Sequence, residues 1–126
     1  MALIVARHGP LRDGLYALVS TIPELGVVSS ALDLDSALEF VMGHCPAVIL
    51  LEINDLDPDQ LVKIESMKVT CPQTGILALA QHSASVPGLV EASGVDAVLM
   101  QGVDTRRLTE TISALIGSDN EEKATA

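Results

Sequence analysis

A chain of 126 residues is of single-domain size and can bury roughly two-thirds of the surface its unfolded form exposes, so one compact core is expected. Seventeen acidic against seven basic residues give a net charge of −10, which repels phosphate backbones and anionic lipid and argues against nucleic-acid or membrane binding by this chain alone. No apolar run approaches the ~20 residues that cross a bilayer, and the amino terminus lacks a basic region followed by a cleavage site, so a cytoplasmic protein is expected.

The first apolar run, Ala2 to Ala6, has strand length, and Leu11, Leu15, Leu18, Val19 and Ile22 follow at helical spacing. Val27 to Ser29 reads as a second strand, and Leu34, Leu38 and Val41 as the stripe of a second helix capped by Asp33. The third strand spans Ala47 to Leu51. Asp57 before Pro58 then offers a cap and a first-turn proline for a helix carrying Leu61 and Ile64. A fourth strand covers Ile76 to Ala80. Between His82 and Ser93, Pro87 and Gly88 leave room for only a short or distorted helix. Ala97 to Met100 is the fifth strand, and Leu108, Ile112, Leu115 and Ile116 mark a last helix capped by Asp104 and stopping at Gly117. The near-continuous apolar character of these runs fits parallel strands covered on both faces.

Residues 1–117 thus form one domain, and 118–126, with no apolar residue larger than alanine, read as a disordered acidic tail or the start of a linker. Cys45 and Cys71 each precede a proline at a helix-to-strand joint. With no secretory signal they read as reduced, partly buried packing residues rather than as a disulfide.

In an open parallel α/β sheet, ligands bind beyond the carboxyl ends of the strands. That rule points to Arg7, His8 and Gly9 after the first strand, Glu52, Ile53, Asn54 and Asp55 after the third, Gln81 and His82 after the fourth, and Gln101 and Gly102 after the fifth. No nucleophile elbow, glycine-rich phosphate loop or Cys-x-x-Cys pair is present, so an enzyme is not expected. The alternation of Asp55, Asp57 and Asp59 lacks the glycine and distal glutamate of a calcium loop and reads as a solvated loop and helix cap.

Leu3-Ile4-Val5 through Arg12-Asp13-Gly14-Leu15, Pro46-Ala47-Val48-Ile49-Leu50-Leu51-Glu52-Ile53-Asn54, and Cys71-Pro72 leading into Ile76-Leu77-Ala78-Leu79 come in the order and spacing of a known family. Over Ala2 to Gly117 the chain resembles the receiver domain of bacterial response regulators, especially receivers that precede a helix-turn-helix output domain. The resemblance implies a flavodoxin-like (βα)5 three-layer sandwich with a parallel sheet in the order 2-1-3-4-5. It also implies an aspartate acceptor after the third strand, an acidic pair that binds magnesium, a hydroxyl residue, an aromatic switch and a lysine. At those positions this chain carries Glu52, Ala6 and Arg7, Ala80, Val98 and Gln101.

A magnesium ion needs carboxylate oxygens where Arg7 offers a positive charge, and phosphoryl transfer depends on positioning and charge stabilisation that Ala80 and Gln101 do not supply. The resemblance therefore implies a degenerate receiver, without cofactor or metal, that acts through a protein partner. Arg7 and Glu52 are expected to form an ion pair on neighbouring strands, in the place of the metal. The family's interaction face would map to Leu89, Val90, Arg106, Arg107 and Glu110, with a homodimer as one expected use. Two other readings stay open. One is a receiver phosphorylated at an altered site, Glu52 or Asp55; the other is a small-ligand or metal-binding flavodoxin-like domain in which His8, His82, Glu52 and Asp55 converge.

Overall fold

The computed structural model describes the backbone of residues 1–125 and the side chains of residues 1–117. Five strands alternate with five helices: β1 (Ala2–Val5), α1 (Pro10–Val19), β2 (Val28–Ala31), α2 (Leu34–Val41), β3 (Val48–Ile53), α3 (Pro58–Thr70), β4 (Gly75–Ala80), α4 (Val86–Glu91), β5 (Ala97–Met100) and α5 (Thr105–Thr125). Short 3-10 turns at Pro23–Leu25 and Ser83–Ser85 precede β2 and α4. All strands are parallel, in the order β2-β1-β3-β4-β5.

Every residue of β1 and β4 is buried, as is all of β3 except Glu52. Alternate side chains feed two cores, as the period-2 pleat requires. Ile4, Leu50 and Leu79 meet Leu15 and Val19 of α1 and Leu108 and Ile112 of α5 on one face. Leu3, Leu51 and Ile76 meet Val41 of α2, Ile64 and Met67 of α3 and Leu89 of α4 on the other. The result is the expected three-layer α/β sandwich. The strand order reverses direction between β1 and β3, which opens a crevice at their carboxyl ends.

The caps form as expected. Asp33 accepts from the Ser36 N–H at 2.8 Å, Asp104 accepts from the Arg107 N–H at 2.8 Å, and Asp57 and Gln60 form a reciprocal capping box.

Several sequence expectations are corrected. β2 lies at Val28–Ala31 rather than Val27–Ser29: as an edge strand it is only partly buried, so serines are tolerated and the apolar signal is weak. β3 runs two residues beyond Leu51, because Glu52 and Ile53 pair with Leu79 and Ala80 while the Glu52 side chain turns toward the crevice. Gly117 does not end α5, whose bounds pass it; a single glycine costs a helix about 1 kcal/mol and need not stop it. The reading of 118–126 as a disordered tail or linker lies outside the residues whose side chains are described.

The cysteines are also corrected: Cys45 and Cys71 are joined in a disulfide with a Cα–Cα distance of 5.5 Å. The two helix-to-strand joints lead into β3 and β4, which are hydrogen-bonded neighbours, so the topology brings the joints together. Beside them the Thr74 hydroxyl donates to the Pro46 carbonyl at 2.6 Å, a second tie between the same joints.

At the other edge, Asp96 Oδ2 accepts from the Ile76 N–H and from Lys68 Nζ, each at 2.8 Å, fastening the start of β5 to β4 and α3. Gly94 reaches this contact with φ +98°, and a Cβ there would stand 2.9 Å from Lys68 Cβ. Gly94→Ala is therefore expected to lower unfolding free energy by more than ~1 kcal/mol in chemical denaturation. Gly43→Ala, where a Cβ meets nothing within 4 Å, is the control and should have a much smaller effect.

Candidate functional site

The carboxyl ends of β1 and β3 and the amino ends of α2 and α3 enclose a cleft of about 430 Å³. Its floor is Val5, Ala6 and Glu52; its rim carries Arg7, Asp33, Asp35, Asp55, Asp59 and Lys63. The register that pairs Val5 with Leu51 sets Arg7 and Glu52 side by side, as the sequence suggests.

Glu52 Oε1 accepts from the Arg7 backbone N–H at 3.1 Å and lies 3.5 Å from Arg7 Nε. The Glu52 side chain is 14% exposed, that of Arg7 74%. A guanidinium contact this long, with one partner in water, contributes about 0–1 kcal/mol, so the shorter backbone bond is the firmer anchor.

Gln101, expected at the position of the family's lysine, turns to neighbouring strand ends. Its Nε2 donates to Asn54 Oδ1 at 2.9 Å and to the Leu79 carbonyl at 3.1 Å, tying β5 to the ends of β3 and β4. Ala80 is fully buried beneath this amide layer and offers no hydroxyl.

Lys63 is the feature that sequence reading missed. Its Nζ bridges Asp35 at 2.9 Å and Asp59 at 2.8 Å, joining the first turns of α2 and α3 across the cleft mouth. The hydrogen bonds from Asp59, then Asp35, hold the ammonium well above its ordinary pKa and so fully charged. The i,i+4 spacing of Asp59 and Lys63 was a usable signal; Asp35 enters only through tertiary packing.

The four residues considered as metal ligands do not form one cluster. His8 Nδ1 meets Arg12 Nη1 at 2.9 Å, whereas His82 lies 3.8 Å from Asp55. Among the described residues no group of three His, Cys, Asp or Glu side chains is placed to hold a metal ion. Asp57 serves as the cap of α3 and Asp59 binds Lys63, in keeping with the loop-and-cap reading of that acidic run.

On the expected interaction face, Leu89 is a correction. It is fully buried, because the short α4 must turn its one long leucine into the core to be held at all. Val90 and Met100 are exposed, and so are Arg106, Arg107 and Glu110, with Arg106 paired to Glu110 at 3.1 Å. Between α4, β5 and α5 they flank a mostly apolar groove containing Val86, Val98, Val103 and Arg107.

Comparison with known structures decides what this arrangement resembles. The receiver domain of NtrX from Brucella abortus superposes with a TM-score of 0.76 over 92% of this chain and 98% of its own, at 21% identity. The fold is that of a receiver domain. The receiver of the sensor histidine kinase PA1611 from Pseudomonas aeruginosa, with magnesium coordinated in its active-site cleft, matches with a TM-score of 0.73 at 17% identity, covering 92% of this chain and 96% of that one. By sequence, the transcriptional regulatory protein DegU of Brevibacillus brevis is 25% identical over 114 residues, which are 90% of this chain. The chain spans about half (48%) of the length of that relative. No family model matches the chain.

Two measurements test this geometry. Because Arg7→Ala keeps the backbone bond, it should change stability by less than ~0.5 kcal/mol, while Glu52→Ala, which removes both contacts of the partly buried carboxylate, should cost more, ~0.5–1.5 kcal/mol, in chemical denaturation. The Ser36 backbone and hydroxyl hydrogen bonds hold the Asp33 carboxyl below its ordinary value of 3.8. A depressed carboxylate stabilises the fold above its unfolded pKa and loses that effect as pH falls through the folded value. The melting temperature of Asp33→Ala should thus lie below that of the parent at pH 7, and the gap should close as pH is lowered past 3.8.

Proposed function

We propose that this chain is a receiver-like, protein-interaction module of bacterial signal transduction that works without phosphorylation, in the cytoplasm, and has no catalytic role of its own. The observation that carries the proposal is the Arg7–Glu52 contact, which puts a cation and a hydrogen-bonded carboxylate where a working receiver holds its metal and acceptor.

Magnesium coordinates in the cleft of the PA1611 receiver. The residues present here do not fit that ion. Ala6 has no donor, Arg7 brings like charge, Oε1 of Glu52 is taken by the Arg7 N–H, and Asp35 and Asp59 are both held by Lys63. A transferring phosphoryl group would also lack the ammonium and hydroxyl that stabilise it elsewhere, since Gln101 is turned onto Asn54 and Ala80 is apolar.

Function then lies on surfaces, and the exposed strip of Val90 and Met100 beside Arg106, Arg107 and Glu110 is the face we assign to a protein partner or a second copy. The net charge of −10 supports a protein partner over nucleic acid for this chain alone.

The test is an amide-resolved NMR titration with magnesium and beryllofluoride, read at Glu52, Asp55, Ala80 and Gln101. No saturable shift is expected. Shifts spreading from those residues toward α5 would instead favour the altered-site reading, phosphorylation at Glu52 or Asp55, and end this proposal.

A further inference from the structure

The disulfide is unsymmetrical, and its position gives it a mechanical role. Cys45 is exposed, whereas Cys71 is buried, 1% exposed, at the carboxyl cap of α3. Parallel strands place both joints at the amino end of the sheet, opposite the cleft. The bond therefore ties the turn after α2 to the carboxyl cap of α3, while Lys63 ties the starting ends of the two helices.

We infer that Cys45–Cys71 is a thiol–disulfide exchange site for a low-molecular-weight thiol of the glutathione class, entered at Cys45, whose redox state sets how firmly α2 and α3 are held together. A thiolate must reach the sulfur it attacks, and Cys45 is the exposed residue of the pair. In the first step the incoming thiolate sulfur bonds to Cys45 Sγ, the Cys45–Cys71 bond breaks, and its electron pair leaves with Cys71, which takes a proton from water. In the second, another thiolate attacks the mixed disulfide and releases Cys45 as a thiolate together with the oxidised small disulfide. Two small thiols are oxidised and one protein disulfide is reduced.

Reduced Cys71 is buried, so a reagent reaches Cys45 and Cys45 alone carries the modification. The fold outlasts reduction because Thr74 still holds Pro46 and the β3–β4 ladder runs directly from these joints. What changes is local: the turn from Met42 to Ala47 and the last turn of α3 lose their covalent tie.

The experiment uses the full chain in its oxidised and reduced forms. Hydrogen exchange should quicken by about tenfold or more at amides 42–45, 47 and 68–71 on reduction, with the interior of β1 and β3 unchanged. In partial alkylation of the reduced protein with iodoacetamide, Cys45 should react at least about tenfold faster than Cys71. With oxidised glutathione, Cys71→Ser should take up glutathione at Cys45, and Cys45→Ser should take up none without denaturant. Equal alkylation of the two sulfurs, unchanged exchange at those amides, global loss of protection on reduction, or two free thiols in air-oxidised protein would each overturn the inference.

Discussion

The buried backbone of β1 and β3 is the constraint on which the rest depends. Both strands are sealed by helices on each face, so their amides and carbonyls have no water to turn to and must pair with each other and with β2 and β4. Register is therefore fixed at Ala2 opposite Val48 through Val5 opposite Leu51. A slip of β1 by one residue would send Ile4 toward α2 and α3 and Leu3 toward α1 and α5, away from the Leu50 and Leu51 partners they now share a core with. The β1–β3 pairing sets Arg7 beside Glu52 at one end, and the β3–β4 pairing brings Cys45 within bonding distance of Cys71 at the other.

At the crevice end the side chains satisfy one another. Gln101 spends its amide hydrogens on Asn54 and the Leu79 carbonyl, Glu52 accepts from a backbone N–H, and Lys63 occupies Asp35 and Asp59. Each of these contacts is local and occupies a side chain that could otherwise reach an ion or a phosphoryl group, although acidic side chains still outnumber basic ones around the cleft. An interaction surface on the α4–β5–α5 side needs no such unmet charge, only exposed apolar area with a polar rim.

Most of the fold was legible because strands buried on both faces read as unbroken apolar runs, and because Asp33, Asp57 and Asp104 announce their helices. Legibility failed where burial is partial or where contact is tertiary. β2 is an edge strand whose serines hide it, and β3 carries a glutamate inside its ladder, so its end looked nearer than it is. The cysteines were judged by compartment, although their matching positions before adjacent strands held the geometric clue. Leu89 is mapped to the surface by the family's interaction face, and a helix of six residues gives too short a stripe to show that it turns inward. Lys63 shows half of its role in its spacing from Asp59 and hides the half that reaches α2.

The unequal exposure of Arg7 and Glu52 has a consequence for anything that settles over the crevice. In the free chain, water around the guanidinium screens the pair and dissolved salt weakens it further. A partner that covered Arg7 without offering it a carboxylate would strip that water away, at a desolvation cost, and leave Glu52 as the nearest counter-charge. The strength of the contact is then a property of the complex rather than of the chain, and the crevice would report, from inside the protein, whether its mouth is open or closed.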